Sequence, residues 1–126
     1  MKEQKKFSIK DRFKSFSYAF NGLKLLLKEE HNSRIHLAIT ITVLILSILL
    51  KISTTEWLFV ILLIGFVFVT EIFNSAIENL ADFVSPEKNS LIKKVKDLAA
   101  AGVLLSAVTA LIVGIVIFLP KIIEKF

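Results

Sequence analysis

Three apolar runs, 35–50, 57–81 and 98–119, interrupt an otherwise polar chain. At a rise of about 1.5 Å per residue each can cross a hydrocarbon core of about 30 Å, the first with a slight extension at both ends. They predict membrane-spanning helices over about 34–51, 56–83 and 97–119. Ahead of them Phe13, Phe16, Phe20, Leu23 and Leu27 recur at alternating spacings of three and four, with Lys10, Lys14, Asn21, Lys24 and Lys28 elsewhere. That pattern predicts an amphipathic helix over about 8–30 lying on the membrane surface. Ser8 with Asp11 and Ser53 with Glu56 have capping-box spacing at the starts of the surface helix and the second span. Pro86 disfavours helix at Ser85 and suits the first turn of whatever follows, so 84–95 reads as a turn plus a short helical piece.

The fold class is therefore all-α and integral to a membrane: a surface helix plus three spans. With no repeat, low-complexity tract or Pro/Gly-rich linker, residues 1–126 read as one domain. Gly102, Ser106, Ala110 and Gly114 form a ridge of small residues along the third span, where another helix can approach closely. This predicts bundle packing or oligomerisation.

Composition agrees with the pattern. A chain that is 55% hydrophobic, with a mean hydropathy of +0.72, is too apolar for an ordinary soluble domain. The absence of cysteine removes disulfides, thiolate nucleophiles and Cys-based metal sites. The net charge of +5 could suggest nucleic acid, but its distribution reads instead as membrane orientation. Nine Lys or Arg lie in residues 1–34, and Lys88, Lys93, Lys94 and Lys96 lie between the second and third spans. By the positive-inside rule the N-terminus and that connection face the cytoplasm and the C-terminus faces outward. The polar, basic first thirty residues contain no apparent cleavable signal peptide.

The second apolar run ends in Glu71-Ile-Phe-Asn74-Ser-Ala-Ile-Glu78-Asn-Leu-Ala-Asp82. At about 100 degrees per residue, Asn74, Glu78 and Asp82 fall at roughly −60, −20 and +20 degrees from Glu71, on one face. Carboxylates are costly in lipid and mark functional sites there. Counted from Trp57, Glu71 lies about 21 Å into the membrane, with Glu78 and Asp82 about 10 and 16 Å farther on, at the cytoplasmic headgroups. Lys96 and Asp97 open the third span at that level, and Glu29-Glu30 closes the surface helix there. Carboxylates at a water boundary beside a lysine suit magnesium and phosphate. Glu71, deeper and more desolvated, is placed to accept a proton from a hydroxyl. The same groups could instead bond neighbouring helices or line a water-filled crevice.

No G-x-x-x-x-G-K-[ST] loop is present and the four glycines are isolated, which excludes P-loop and Rossmann nucleotide sites. His31 and His36 read as interfacial or helix-bonding residues rather than metal ligands, having no partner at compact ligand spacing. Trp57 and Tyr18 read as interface anchors.

The block from Glu71 to Glu78 with Asp82, followed by Lys96-Asp97-Leu-Ala-Ala-Ala-Gly-Val, resembles the signature of the bacterial diacylglycerol kinase family, which includes the undecaprenol kinases. Tyr18-Ala-Phe-Asn-Gly22-Leu and Glu30 extend the resemblance over almost the whole chain. It implies a homotrimeric lipid kinase of the bacterial inner membrane that binds magnesium and ATP at the cytoplasmic face and takes a lipid alcohol sideways from the bilayer. It further implies Glu71 as catalytic base and Glu30 and Glu78 as magnesium ligands. The nucleotide would meet Tyr18, Glu30, Asn74, Glu78, Asp82, Glu87, Lys88, Asn89, Lys96 and Asp97. The lipid would meet Arg12, Glu71 and Ala100.

Two departures stand out. Where the family often has an early Arg, Arg12 stands next to Asp11. Where many members have aromatic and His residues after Pro-Glu, this chain has Lys88 and Asn89. The run from Glu29 to His36 is more similar to the undecaprenol kinase branch. The rival from another class is a small proton-coupled transporter with Glu71 as its exchangeable acid. That role needs access from both sides, whereas the polar row runs to one surface only.

Overall fold

The computed structural model describes residues 6–126, so Lys2 and Lys5 of the basic N-terminal segment lie outside the described residues. Four helices follow in order: α1 (Ile9–Glu29), α2 (His31–Leu49), α3 (Thr54–Val84) and α4 (Ser90–Lys125). The last three are long and apolar enough to cross a membrane. At about 1.5 Å per residue α2 is about 28 Å long and matches a hydrocarbon core, while α3 and α4, at about 46 and 54 Å, overshoot it. The surplus of α3 is the stretch that carries Glu78 and Asp82.

Local chemistry accounts for the helix ends. Ser8 Oγ accepts from the Asp11 backbone N–H, 3.4 Å away, the forward half of a capping box. Ser53 and Glu56 complete both halves at the start of α3. α1 stops at Glu30, whose extended backbone separates it from α2. Arg34, in the second turn of α2, reaches back to the Leu27 and Lys28 carbonyls and satisfies the end of α1. This brace sets the angle at Glu30.

The α2–α3 turn is a Schellman closure: Lys51 N–H bonds the Ile48 carbonyl and Ile52 N–H bonds the Ser47 carbonyl. Lys51 has φ 50°, the left-handed conformation that suits glycine. Adopting it costs a side-chain-bearing residue about 1–2 kcal/mol, against about 0.4–1 kcal/mol for the extra unfolded-state freedom of glycine. Lys51→Gly is therefore expected to raise stability by about 0.5–1 kcal/mol, measurable as a higher unfolding midpoint in micelles.

Two features differ from the sequence expectations. Residues 85–89 form no helix, so Pro86 opens none; α4 begins at Ser90, with Asn89 Oδ1 accepting from the Leu91 and Ile92 N–H groups. The expected short helical piece is thus the first turns of one continuous α4. That helix also runs through Pro120 to Lys125 instead of ending at Leu119. Proline's fixed φ is helical, and the cost is the hydrogen bond it cannot give to Val116.

α3 and α4 form the main antiparallel pair. Three polar contacts set its register: Glu56 with Lys121 at 3.1 Å, Thr70 Oγ1 with Ser106 Oγ at 2.9 Å, and Asp82 with Lys96. Fourteen residues separate the first two contacts on α3 and fifteen on α4, so the helices stay in step. Ser106 is fully buried, so this member of the small-residue ridge serves packing within the chain. A Cβ built on Gly102 or Gly114 meets nothing within 4 Å, so neither glycine is used for close approach among the described residues. Ile52, Val60, Ile117 and Phe118 make a buried cluster beside the α2–α3 turn. The polar residues described next gather at the opposite end.

Candidate active site

Glu71 is the buried centre of this end, with 4% of its surface exposed. It lies seventeen residues beyond the start of α3, and Ser33 lies sixteen before the end of α2, so the two sides of the hairpin meet at equal depth. Ser33, itself buried, donates from Oγ to Glu71 Oε2 at 2.7 Å. His36, one turn along α2, brings Nε2 to 3.1 Å from Oε1. That contact lacks hydrogen-bond alignment, and Oε1 has no hydrogen-bond partner among the described residues. The carboxylate is thus unsymmetrical: one oxygen is held and the other is left open.

A second orphan acceptor is Asn74 Oδ1, three residues along α3 on the same face. Buried oxygens without partners are expensive and mark where a donor or cation belongs. One turn beyond Glu71, Ser75 Oγ donates to Glu30 Oε1 at 3.1 Å, tying the α1–α2 junction to α3. Glu78 is half-buried and engaged in no hydrogen bond or ion pair among the described residues. Asp82 pairs with Lys96 of α4, and Asp97 pairs with Lys93 at 2.6 Å within α4. These exposed pairs add little stability, so their consequence is position: a lysine is held across α3 beside the carboxylates.

Of the residues singled out from sequence, the structure brings Glu30, Glu71, Asn74, Glu78, Asp82 and Lys96 together at one end of the α3–α4 pair. Tyr18 is exposed on α1, and Arg12 stacks its guanidinium 5.9 Å from the Phe7 ring centroid; neither bonds to the carboxylates. Glu87, Lys88, Asn89 and Ala100 are exposed, and the Asn89 side chain is occupied as the α4 cap. Sequence reasoning missed Ser33, Arg34 and Ser75 and gave His36 no partner. The available signal was that Ser33 and His36, three apart in the opening turns of an apolar span, share one helix face and need polar company in the bilayer.

Among the described residues no three His, Asp or Glu side chains converge as a ready-made metal cage. That is compatible with magnesium, which is commonly held by one or two carboxylates plus phosphate and water. Among the described residues Glu30 has only Oε1 bonded and Glu78 has both oxygens free, so an all-oxygen donor set fits that ion.

Comparison with known proteins identifies the family. The model of the prokaryotic diacylglycerol kinase family matches residues 17–118. The chain is 40% identical over 110 residues to an undecaprenol kinase of Bacillus subtilis (strain 168), covering 87% of this chain and 89% of that protein. It is 33% identical over 111 residues to a diacylglycerol kinase of Synechocystis, covering 87% of this chain and 63% of the relative. It is also 33% identical over 96 residues to one of Helicobacter pylori, covering 76% of this chain and 75% of that protein. With the family match running from the middle of α1 to near the end of α4, the chain belongs to the prokaryotic diacylglycerol kinase family and is a lipid kinase.

Proposed function

We propose that this chain transfers the γ-phosphoryl group of ATP to the hydroxyl of a membrane lipid alcohol, with undecaprenol preferred over diacylglycerol. The reading treats residues 1–126 as one membrane-embedded kinase domain, homotrimeric in a bacterial cytoplasmic membrane, with α1 on the inner surface. Its support is the depth of the polar row. Measured from Thr54, Glu71 lies about 26 Å along α3, inside a 30 Å core, whereas Glu78 lies about 36 Å along, beyond it. A lipid hydroxyl and an aqueous nucleotide meet at such a boundary.

The observation that carries the mechanism is the open oxygen of Glu71. A hydroxyl arriving there donates its proton to Oε1 while its oxygen attacks the γ-phosphorus. The bond from that phosphorus to the bridging oxygen breaks, and ADP leaves with the electron pair. Ser33 keeps Oε2 occupied and so fixes which oxygen acts. Glu30 and Glu78 would hold magnesium, which supplies charge neutralisation on the phosphates. Asn74, Asp82, Lys96 and Asp97 complete the phosphate side, with Tyr18 and 87–89 toward the nucleotide and Arg12 and Ala100 toward the lipid. Positioning and charge neutralisation are most of what phosphoryl transfer requires, and no Gly-rich loop is needed for them.

The undecaprenol preference is supported by the 40% identity to the undecaprenol kinase against 33% to each of the two diacylglycerol kinases. The test is competition: both lipids at equal mole fraction in the same micelles, with the two phosphorylated products quantified. Undecaprenyl phosphate is expected to dominate. An excess of phosphatidic acid would reverse the assigned preference.

A further inference from the structure

A hydroxyl has one proton to give, and inside a helix it commonly gives it to the carbonyl three or four residues back. Ser15, Thr42, Ser47, Thr70, Ser106 and Thr109 do this. Ser33 and Ser75 do not: among the described residues they are the two helical hydroxyls that donate to a carboxylate. Ser33 serves Glu71, and Ser75 donates to Glu30 Oε1 at 3.1 Å. At about 32 Å along α3 from Thr54, Ser75 stands past a hydrocarbon core of about 30 Å, at the level of water and phosphate.

Glu30 is the carboxylate that most needs such a bond. It belongs to neither α1 nor α2: it is the extended residue between them, and although it stands at the N-cap of α2 its side chain makes no capping bond. Apart from Ser75 it has no side-chain hydrogen-bond or ion-pair partner among the described residues. Ser75 lies three residues before Glu78 on α3, so the two share a face with Cβ atoms about 5–6 Å apart. The bond therefore draws the Glu30 carboxylate from the α1–α2 junction toward Glu78, and Oε2 stays unengaged. The junction has its own brace in Arg34, which bonds the Leu27 and Lys28 carbonyls.

We propose that Ser75 is a positioning residue for the magnesium site: by holding Oε1 of Glu30 it fixes that carboxylate beside Glu78 and leaves Oε2 as the oxygen presented to the ion. This rests on the reading of Glu30 and Glu78 as magnesium ligands. Carboxylates that hold a metal are themselves commonly hydrogen-bonded, and the partner that orients them contributes to metal affinity. Two carboxylates brought to one site repel each other. A neutral hydroxyl holds one of them in place without adding a positive charge that would compete with the cation. Ser75 thus acts on where Glu30 lies, and its effect falls on metal affinity and not on the transfer step once the metal is bound.

The test is the magnesium dependence with which Ser75→Ala, in the full chain in micelles, binds a non-hydrolysable ATP analogue. The magnesium concentration for half-maximal binding is expected to rise by about tenfold or more, the usual loss when a partner that orients a metal ligand is removed. Binding at saturating magnesium should match the parent chain, and Ser75→Thr, which keeps the hydroxyl, should restore the parent midpoint. A parent midpoint in Ser75→Ala would overturn the proposal, as would a shift that Ser75→Thr leaves in place or a loss of binding that no magnesium concentration repairs. Alanine favours helix; should the helical signal of the variant fall all the same, Ser75→Cys, whose S–H is a weak donor, carries the same test. Glu30→Gln separates the two readings: it should shift the midpoint by itself, and adding Ser75→Ala to it should shift the midpoint no further. Additive shifts would place Ser75 outside the Glu30 site and overturn the proposal. A parent midpoint in Glu30→Gln would instead remove the ligand assignment, and the role of Ser75 with it.

Discussion

Glu71→Gln is expected to lower kcat for lipid phosphorylation by about 10²–10⁴, the usual contribution of a positioned general base. The substitution changes little else. Glutamine has the same length, its carbonyl oxygen can still accept from Ser33, and no buried charge is left without its partner. Glu78 lies two helical turns away, about 10 Å, so nucleotide affinity should stay within a few-fold of the parent chain. Steady-state lipid phosphate formation beside a nucleotide-binding isotherm checks both halves. Full activity would take Glu71 out of the mechanism.

Glu78→Gln should act on the other substrate. Removing one negative oxygen from the proposed two-carboxylate magnesium site should weaken magnesium-dependent nucleotide binding by at least about 10–100-fold, the cost already seen when only outer-shell partners of a metal are lost. The loss should shrink as magnesium is raised, because the metal is what the variant holds poorly. A magnesium titration of nucleotide binding reads this directly. An unchanged metal dependence would leave Glu78 without the role assigned to it.

Features contained within one helix were legible in the sequence. The Ser53–Glu56 box and the break at Ser85-Pro86 sit where local chemistry puts them, because caps and proline act over three or four residues. The shared face of Glu71, Asn74, Glu78 and Asp82 follows from helical periodicity alone. Contacts between helices were harder. That Ser33 meets Glu71 depends on two spans of equal reach folding back through the Lys51 turn, and nothing local to Ser33 records that distance. Arg34 bonding backward to α1 required a junction angle that only the three-dimensional path supplies.

The third span was ended at Leu119 by the extent of the apolar run, and α4 runs on past Pro120. A proline marks a helix end when the cost of its missing hydrogen bond is uncompensated. Here the helix continues, and Lys121 at the next position pairs with Glu56 while Ile117 and Phe118 pack beside the turn. The small-residue ridge, read as a face for bundle packing or oligomerisation, packs within the chain at Ser106. Ser106 serves the α3–α4 contact through Thr70, whereas a Cβ at Gly102 or Gly114 would meet nothing within 4 Å among the described residues. Residues on one ridge need not face one partner.

The most direct test of the central claim is lipid phosphate formed from γ-labelled ATP by the purified chain in micelles, with and without undecaprenol or diacylglycerol and with and without magnesium. Label transfer to the lipid hydroxyl only when lipid alcohol and magnesium are both present is the predicted result. A correctly folded chain that binds nucleotide yet transfers no label to either lipid would contradict the account.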